Sequence, residues 1–347
     1  MRKIRWSVLF LILQLGFATV NAFAQTKNRI ILTGKFENFT GNSLDLYLTN
    51  ISLGDVNHKI PVINGEFTIP DSLITTAQTG ILAFKNTNDY LLISVLLAPK
   101  YRISLKADAL NTIRFYETFV WSGHGSLINN FYSEMNKNLW DFDESGKTDF
   151  DIWFKVTRKT TDSLYHKYSN TYKDVHDPNF SYFQKIIFYD IQFHRLNNLM
   201  RRACIMLDHK TPEEVNDYIK ANYDQSILKN ISDKQFLASA DYRRLMSASF
   251  WHLFYLVKYD DKVHPDVSRT KYQIYLDKIL QVYKDEVRDY VLYKFIHLNL
   301  VEAVSSYEEF RERAALTMPI LNSFKNKAYN NKLIRSIQNK ESKLVRV

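Results

Sequence analysis

Residues 121–137, WSGHGSLINNFYSEMNK, mark a change of pattern in the chain. Before them, short runs rich in β-branched and aromatic residues alternate with turn residues: RIILTGKF, SLDLYLT, HKIPVI, GEFTIP, GILAFK, YLLISVLLA, YRISLKA and IRFYETFVW. Their length, content and spacing are those of strands. Asn64-Gly65, between VI and EFTI, predicts a type I′ hairpin turn, which needs positive φ at both positions. The expectation is an N-terminal antiparallel β-sandwich or small barrel over residues from about 28 to 122. From Ser126 onward apolar residues recur at three and four, and the breakers are prolines at or near helix starts, Pro178, Pro212 and Pro265. Ser126 is predicted to cap the first helix. Helices are predicted over 126–140, 148–173, 179–207, 211–222, 233–258, 267–284, 286–304, 307–316 and 328–345. The fold class is therefore α+β, a β-sandwich or barrel followed by an all-α domain.

Glycine divides the two parts sharply: all 9 lie at or before Gly146, and the 201 residues that follow contain none. The helix over 179–207 carries two apolar stripes, one through Ile186, Tyr189, Phe193, Leu196, Met200, Ala203 and Leu207, the other through Phe183, Ile187 and Ile191. A helix apolar on two faces belongs at the centre of its domain. No fixed-period repeat is present.

At 347 residues the chain is long enough for one or two domains with cores of their own. Its first 25 residues, MRKIRWSVLFLILQLGFATVNAFAQ, combine a basic start, an apolar run to Phe17 and a small-x-small site at Ala22-Phe23-Ala24. That pattern predicts a secretory signal over residues 1–24, followed by a β-domain over 25–122 and a helical domain over 123–347. The apolar run is short for a spanning helix, and no later stretch is predicted to cross a membrane. The expected location is across the inner membrane, in the periplasm or cell envelope. One cysteine, Cys204, excludes an internal disulfide, a four-Cys zinc site and a Cys-x-x-Cys pair. The formal net charge of +9 is concentrated at the end: from Arg313 onward eight bases stand against Glu341 alone. The rest is near neutral, so the high isoelectric point does not indicate a nucleic-acid binder.

The order ILTGKFENFTGNSLDLYLTN, VINGEFTIPDSL, YLLISVLLAPKYRISLKAD, WSGHGSLINNFYSEMNK, behind a leader ending in AFAQ, resembles the N-terminal region of exported TlpA-like thioredoxin-family proteins of Bacteroidota. In these a small β-domain of the DUF4369 type precedes a helical segment. The resemblance covers residues from about 28 to 140; beyond it only the helical character and the Lys/Asn-rich last helix are similar. It implies a bacterial envelope protein. In that family a thioredoxin domain with Cys-x-x-Cys follows the last helix, whereas here Val347 ends the sequence, so no redox centre carries over. Cys204, beside Ala203 in an apolar helix, reads as a small core residue.

Other constellations each have a plain structural reading. Asp141, Asp143, Ser145, Gly146 and Asp149 are spaced like a calcium loop, but position 12, where a bidentate Glu is needed, is Ile152. The stretch is read as an acidic helix–helix turn. Asp190 and His194, four apart, suit base chemistry or a satisfied polar pair in the core, the latter being preferred. Gly123-His124-Gly125-Ser126 lacks the G-x-S-x-G elbow of a hydrolase and reads as a turn. Phosphate loops of the G-x-G-x-x-G or G-x-x-x-x-G-K-[ST] type do not occur. The basic last helix is read as amphipathic, with Leu333, Ile337 and Leu344 inward and its bases in water; a docking surface for anionic lipid or an acidic partner is the alternative. With no catalytic residue, metal ligand or cofactor assigned, the sequence suggests a non-catalytic binding protein whose partner is a protein, peptide or glycan. An accessory half of a thiol–disulfide system, working with a separate thioredoxin-like protein, is the second expectation, and an unrecognised hydrolase or metal enzyme the third.

Overall fold

The computed structural model describes residues 30–49, 56–86, 89–139, 149–173, 175–247, 250–263 and 268–345. The chain divides into two compact units. Of the described residues, one unit is built from those up to Leu46, from His58–Gln78 and from Leu82–Asn129; the other takes those within Tyr47–Asn57 and Thr79–Ile81 and those from Asn130 onward.

The strands are β1 (Ile30–Glu37), β2 (Ser43–Leu48), β3 (Val56–Pro61), β4 (Glu66–Pro70), β5 (Gln78–Asn86), β6 (Asp89–Leu97), β7 (Arg102–Asp108) and β8 (Val120–His124). They form two four-stranded sheets, ordered β4-β1-β7-β8 and β3-β2-β5-β6. Burial alternates along β2, β4 and β7, as expected for strands with one face against a core. Phe36 on β1, Phe67 on β4 and Phe84 on β5 share that core with Phe115, Phe36 and Phe84 stacking at 4.7 Å between centroids. Gly34 faces Phe67 across β1 and β4. A Cβ there would fall 1.8 Å from the Phe67 ring, so only glycine allows this approach.

Two expectations about the strands need correcting. The sheets are not purely antiparallel, because β1 runs parallel to β7, from Leu32↔Ile103 to Glu37↔Asp108. Also, IRFYETFVW is not one strand: Thr112–Thr118 is a helix, α1, followed by β8. Asn111 caps α1, its side chain accepting from the Arg114 N–H, and only Phe115 of the helix is buried. A side-chain cap supplies a local partner that a strand reading overlooks. The Asn64-Gly65 turn has the expected positive φ values, 52° and 75°. Beyond the Ile63↔Glu66 bridge, however, its arms separate, β3 to one sheet and β4 to the other.

β6 is an edge strand whose free side is covered by side chains. Leu92 exchanges hydrogen bonds with the Tyr116 hydroxyl of α1, at 3.4 and 2.9 Å. The Asn129 amide accepts from Leu96 N–H at 2.8 Å and donates to Leu96 O at 3.0 Å, as a neighbouring strand would. An open edge is a template for unwanted pairing, and these contacts block it at two points.

The helices of the second unit begin with α2 (Ser126–Asn138), of which residues from Asn130 belong to it, and α3 (Phe150–Thr171). They continue with α4 (Phe180–Met206), α5 (Pro212–Asn222), α6 (Gln225–Lys229), α7 (Ala240–Met246), α8 (Trp251–Val263) and α9 (Lys271–Val282). After α10 (Asp285–Ile296) come a π-helical turn (His297–Glu302), α11 (Tyr307–Leu321) and α12 (Lys327–Leu344). The first of these helices starts on Ser126 itself, with Gly125 at φ +96° before it, so Ser126 is not the flanking cap residue. As its two stripes predict, α4 is central: 17 of its 27 residues are buried, and one apolar core extends from it to α12. The expected single helix over 233–258 is broken into a 3₁₀ turn (Lys234–Ala238), α7 and α8. The break contains Phe250 at φ +49°, a conformation that bulky side chains rarely adopt. On α12, Leu333 and Ile337 are buried and Leu344 packs against the core, while Lys332 and Arg335 are exposed, the amphipathic arrangement read from sequence. Among the described residues no helix is long and apolar enough to cross a membrane.

Candidate functional site

In the helical unit α8, α9, the C-terminal end of α10 and the π turn enclose a cleft of about 1050 Å³. Phe250, Tyr272 and Phe295 are buried at its base. Tyr272 and Tyr275, three apart on α9, both stack on Phe295, at 5.4 and 5.7 Å. Phe254 meets Tyr275 edge-on at 5.4 Å and packs against Trp251 at a tilt of 45°, 5.9 Å between centroids. Offset and edge-on pairs of this kind fix ring orientation as well as burying area. Phe254 is nonetheless 44% exposed, so the aromatic layer continues from the core into solvent.

Backbone irregularity places two parts of this wall. Phe250 holds its left-handed φ with its ring buried, and such strain persists only where surrounding packing enforces it. The π turn directs Leu298 and Asn299 to the cleft; Asn299 donates to Phe295 O at 2.9 Å, and its carbonyl accepts from Arg313. Single π turns are disproportionately found at functional sites.

The charges at the cleft are matched. Lys258 binds Asp208 at 2.6 Å and the Cys204 carbonyl at 2.8 Å; Arg269 binds Asp277 at 3.0 Å. Lys278 pairs with Asp260, and Arg313, lying over the Tyr272 ring at 5.3 Å, pairs with Glu309. The two remaining lining charges, Asp261 and Lys271, are of opposite sign. Cys204 lies in the wall with its thiol 3.9 Å from the Trp251 carbonyl. Burial pushes that thiol up to about 12, outweighing the nearby Lys258 ammonium. A thiol so poorly ionised is a weak nucleophile, consistent with its reading as a core residue.

The Asp190–His194 expectation resolves into a larger buried network. Asp190 accepts from Tyr132 OH at 2.8 Å, from Ser239 OH at 2.5 Å and from Asp241 N–H at 3.2 Å. His194 turns Nδ1 toward Asp241, 3.7 Å away, and Nε2 toward the Asn198 amide at 3.3 Å. Burial, with the Asp241 carboxylate adding to it, raises Asp190 to about 6. The same burial, with Asp190 beside it, raises Tyr132 well above an ordinary phenol. Asp190 is 1% exposed and its partners Ser239 and Tyr132 no more than 2%, so a substrate does not reach the carboxylate. The network joins α2, α4 and the start of α7 and is structural.

The remaining sequence candidates are dispersed. Residues 141–148 of the calcium-like stretch lie outside the described residues. Asp149 is the N-cap of α3, accepting from the Asp151 and Ile152 N–H groups. Gly123 and His124 end β8, paired with Ile103 and Arg102. Among the described residues no group of three or more His, Cys, Asp or Glu is placed to hold a metal ion. Sequence reasoning did not single out the cleft aromatics. Their only trace is the i, i+3 spacing of Trp251 with Phe254 and of Tyr272 with Tyr275, which core residues also show. No family model, curated protein or solved structure matches this chain.

Proposed function

We propose that this chain is an exported, non-catalytic ligand-binding protein of a bacterial envelope, with its two sheets packed as a sandwich and its ligand held in the helical unit. The observation that carries the reading is the cleft of about 1050 Å³, where aromatic rings leave the core for solvent beneath paired charges. Concave, partly aromatic sites with a few oriented polar groups are the usual form of a ligand pocket. Export rests on the composition of residues 1–25. The reading of an accessory partner to a thioredoxin-like protein rests on the sequence resemblance alone.

Photo-cross-linking in the native host tests the cleft. Phe254 is replaced by p-benzoylphenylalanine, with Ile113, 71% exposed on α1, as the control position. The expected result is a discrete adduct in the envelope fraction from position 254 and not from 113. Absence of an adduct at 254, or the same adducts from both positions, overturns the reading. A thioredoxin-fold adduct would favour the accessory role.

A further inference from the structure

We infer that the cleft takes a neutral oligosaccharide, its sugar rings laid against Trp251, Phe254 and Tyr275; this rests on the binding role proposed above. Three observations converge on that chemistry.

The first is charge. Lys258, Lys278, Arg269 and Arg313 are each held by an acid, and the two other lining charges, Asp261 and Lys271, are of opposite sign. A phosphate or carboxylate ligand that engaged any of those four cations would have to displace an acid and leave it without its partner. A hydroxyl-rich neutral ligand need not. A paired carboxylate keeps lone pairs free to accept, and a paired guanidinium keeps N–H groups free to donate. The ion pairs therefore act as oriented hydrogen-bonding groups with their side-chain entropy already lost.

The second is the aromatic layer. Phe254 is 44% exposed beside the partly buried Trp251 and Tyr275, and the ring contacts to Phe295 hold Tyr275 from behind. Rings fixed in this way offer rigid apolar surface at the cleft, which suits the C–H faces of a pyranose. Third, among the described residues the walls are mostly helices and one π turn, whose interior backbone groups are bonded internally. An extended peptide would bring main-chain N–H and C=O groups into an aromatic cleft with no strand edge to receive them. The volume lies at the top of the roughly 300–1,000 Å³ common for small-ligand sites. It therefore has room for several rings.

The test is titration calorimetry of the purified full chain with cellotetraose, xylotetraose, maltotetraose, mannotetraose and the N-acetylglucosamine tetramer, with Trp emission as a second readout. At least one tetramer is expected to bind, with affinity changed less than threefold between 0.1 and 1 M NaCl. Phe254→Ala and Tyr275→Ala should each weaken it at least tenfold while the far-ultraviolet dichroism stays that of the parent. Failure of all five tetramers, or binding indifferent to both variants, overturns the sugar assignment. Binding of a random-peptide pool that is lost in the same variants would also overturn it, while leaving the cleft a binding site. If no tetramer or peptide binds and position 254 gives no adduct, the binding role falls as well.

Discussion

Two groups buried in the helical unit should oppose each other in the pH dependence of stability. Asp190 is raised from 3.8 to about 6, so between those values the folded chain keeps a proton that the unfolded chain has released. Stability must therefore fall as pH rises through that window. His252 is lowered by burial from 6.5 to about 4, its Nδ1 lying 2.7 Å from the Tyr283 hydroxyl. Here the unfolded chain holds the extra proton, and stability must rise with pH from about 4 to 6.5. At about 1.36 kcal/mol per tenfold change in proton affinity, each effect is on the order of 3 kcal/mol, and they have opposite signs. The parent chain should then be nearly level across this window, although two strongly displaced groups titrate within it. Asp190→Asn keeps the shape and removes one slope, so its stability should climb by about 3 kcal/mol from pH 4 to 6.5. His252→Gln removes the other and should lose a similar amount. Urea unfolding followed by dichroism at 222 nm, at half-unit pH steps, measures both. An Asp190→Asn profile parallel to that of the parent would refute the reasoning, since it would mean that Asp190 titrates alike in both states.

Four further outcomes follow from named contacts. Gly65→Ala puts a Cβ 2.2 Å from the Phe36 carbonyl oxygen at φ +75°. It should cost about 2 kcal/mol or more, seen as a lower urea midpoint. Asn129→Ala removes both partners of Leu96 and should cost about 3 kcal/mol, with concentration-dependent association in sedimentation as β6 opens; a monomer of parental stability would contradict the capping role. Leu333→Ala, at a fully buried position on α12, should cost about 2–5 kcal/mol; a change under 0.5 would mean the basic helix is not docked. Cys204, raised to about 12 from 9.0, should present about a thousandfold less thiolate folded than unfolded, so Ellman's reagent at pH 8 should react slowly until urea is added.

What could be read from the sequence was local. Asn64-Gly65 announces its turn because positive φ is a property of those two residues, and α4 announces itself because both stripes lie within 27 residues. The partners of β3, β4 and β1 could not be read the same way. The β1 pairings join residues tens of positions apart, such as Leu32 with Ile103 and Thr33 with Thr68, and no local pattern encodes whether such a pair is parallel. The α1 helix was missed because Ile113, Phe115 and Tyr116 imitate a strand, while its deciding feature is the Asn111 cap. The break before α8 was missed because no glycine or proline marks it, and Phe250 takes the left-handed turn instead. The cleft was hidden for a related reason. Phe254 and Phe295 have the same spacing relative to their neighbours as core aromatics do, and only the packing shows that one is 44% exposed and the other 5%.

The absence of glycine after residue 146 bears on the chain before it folds. Glycine gives an unfolded chain more conformations than any other residue, all of them lost on folding. A stretch of 201 residues without one starts from a narrower ensemble, so part of the helical unit's stability lies in what its unfolded chain cannot do. The same economy leaves left-handed turns to ordinary side chains: among the described residues of that unit, Phe250 and Asp285 take them. Conformational freedom is thus withheld along most of the unit, and backbone strain is accepted at two points, one of which lies in the wall of the cleft.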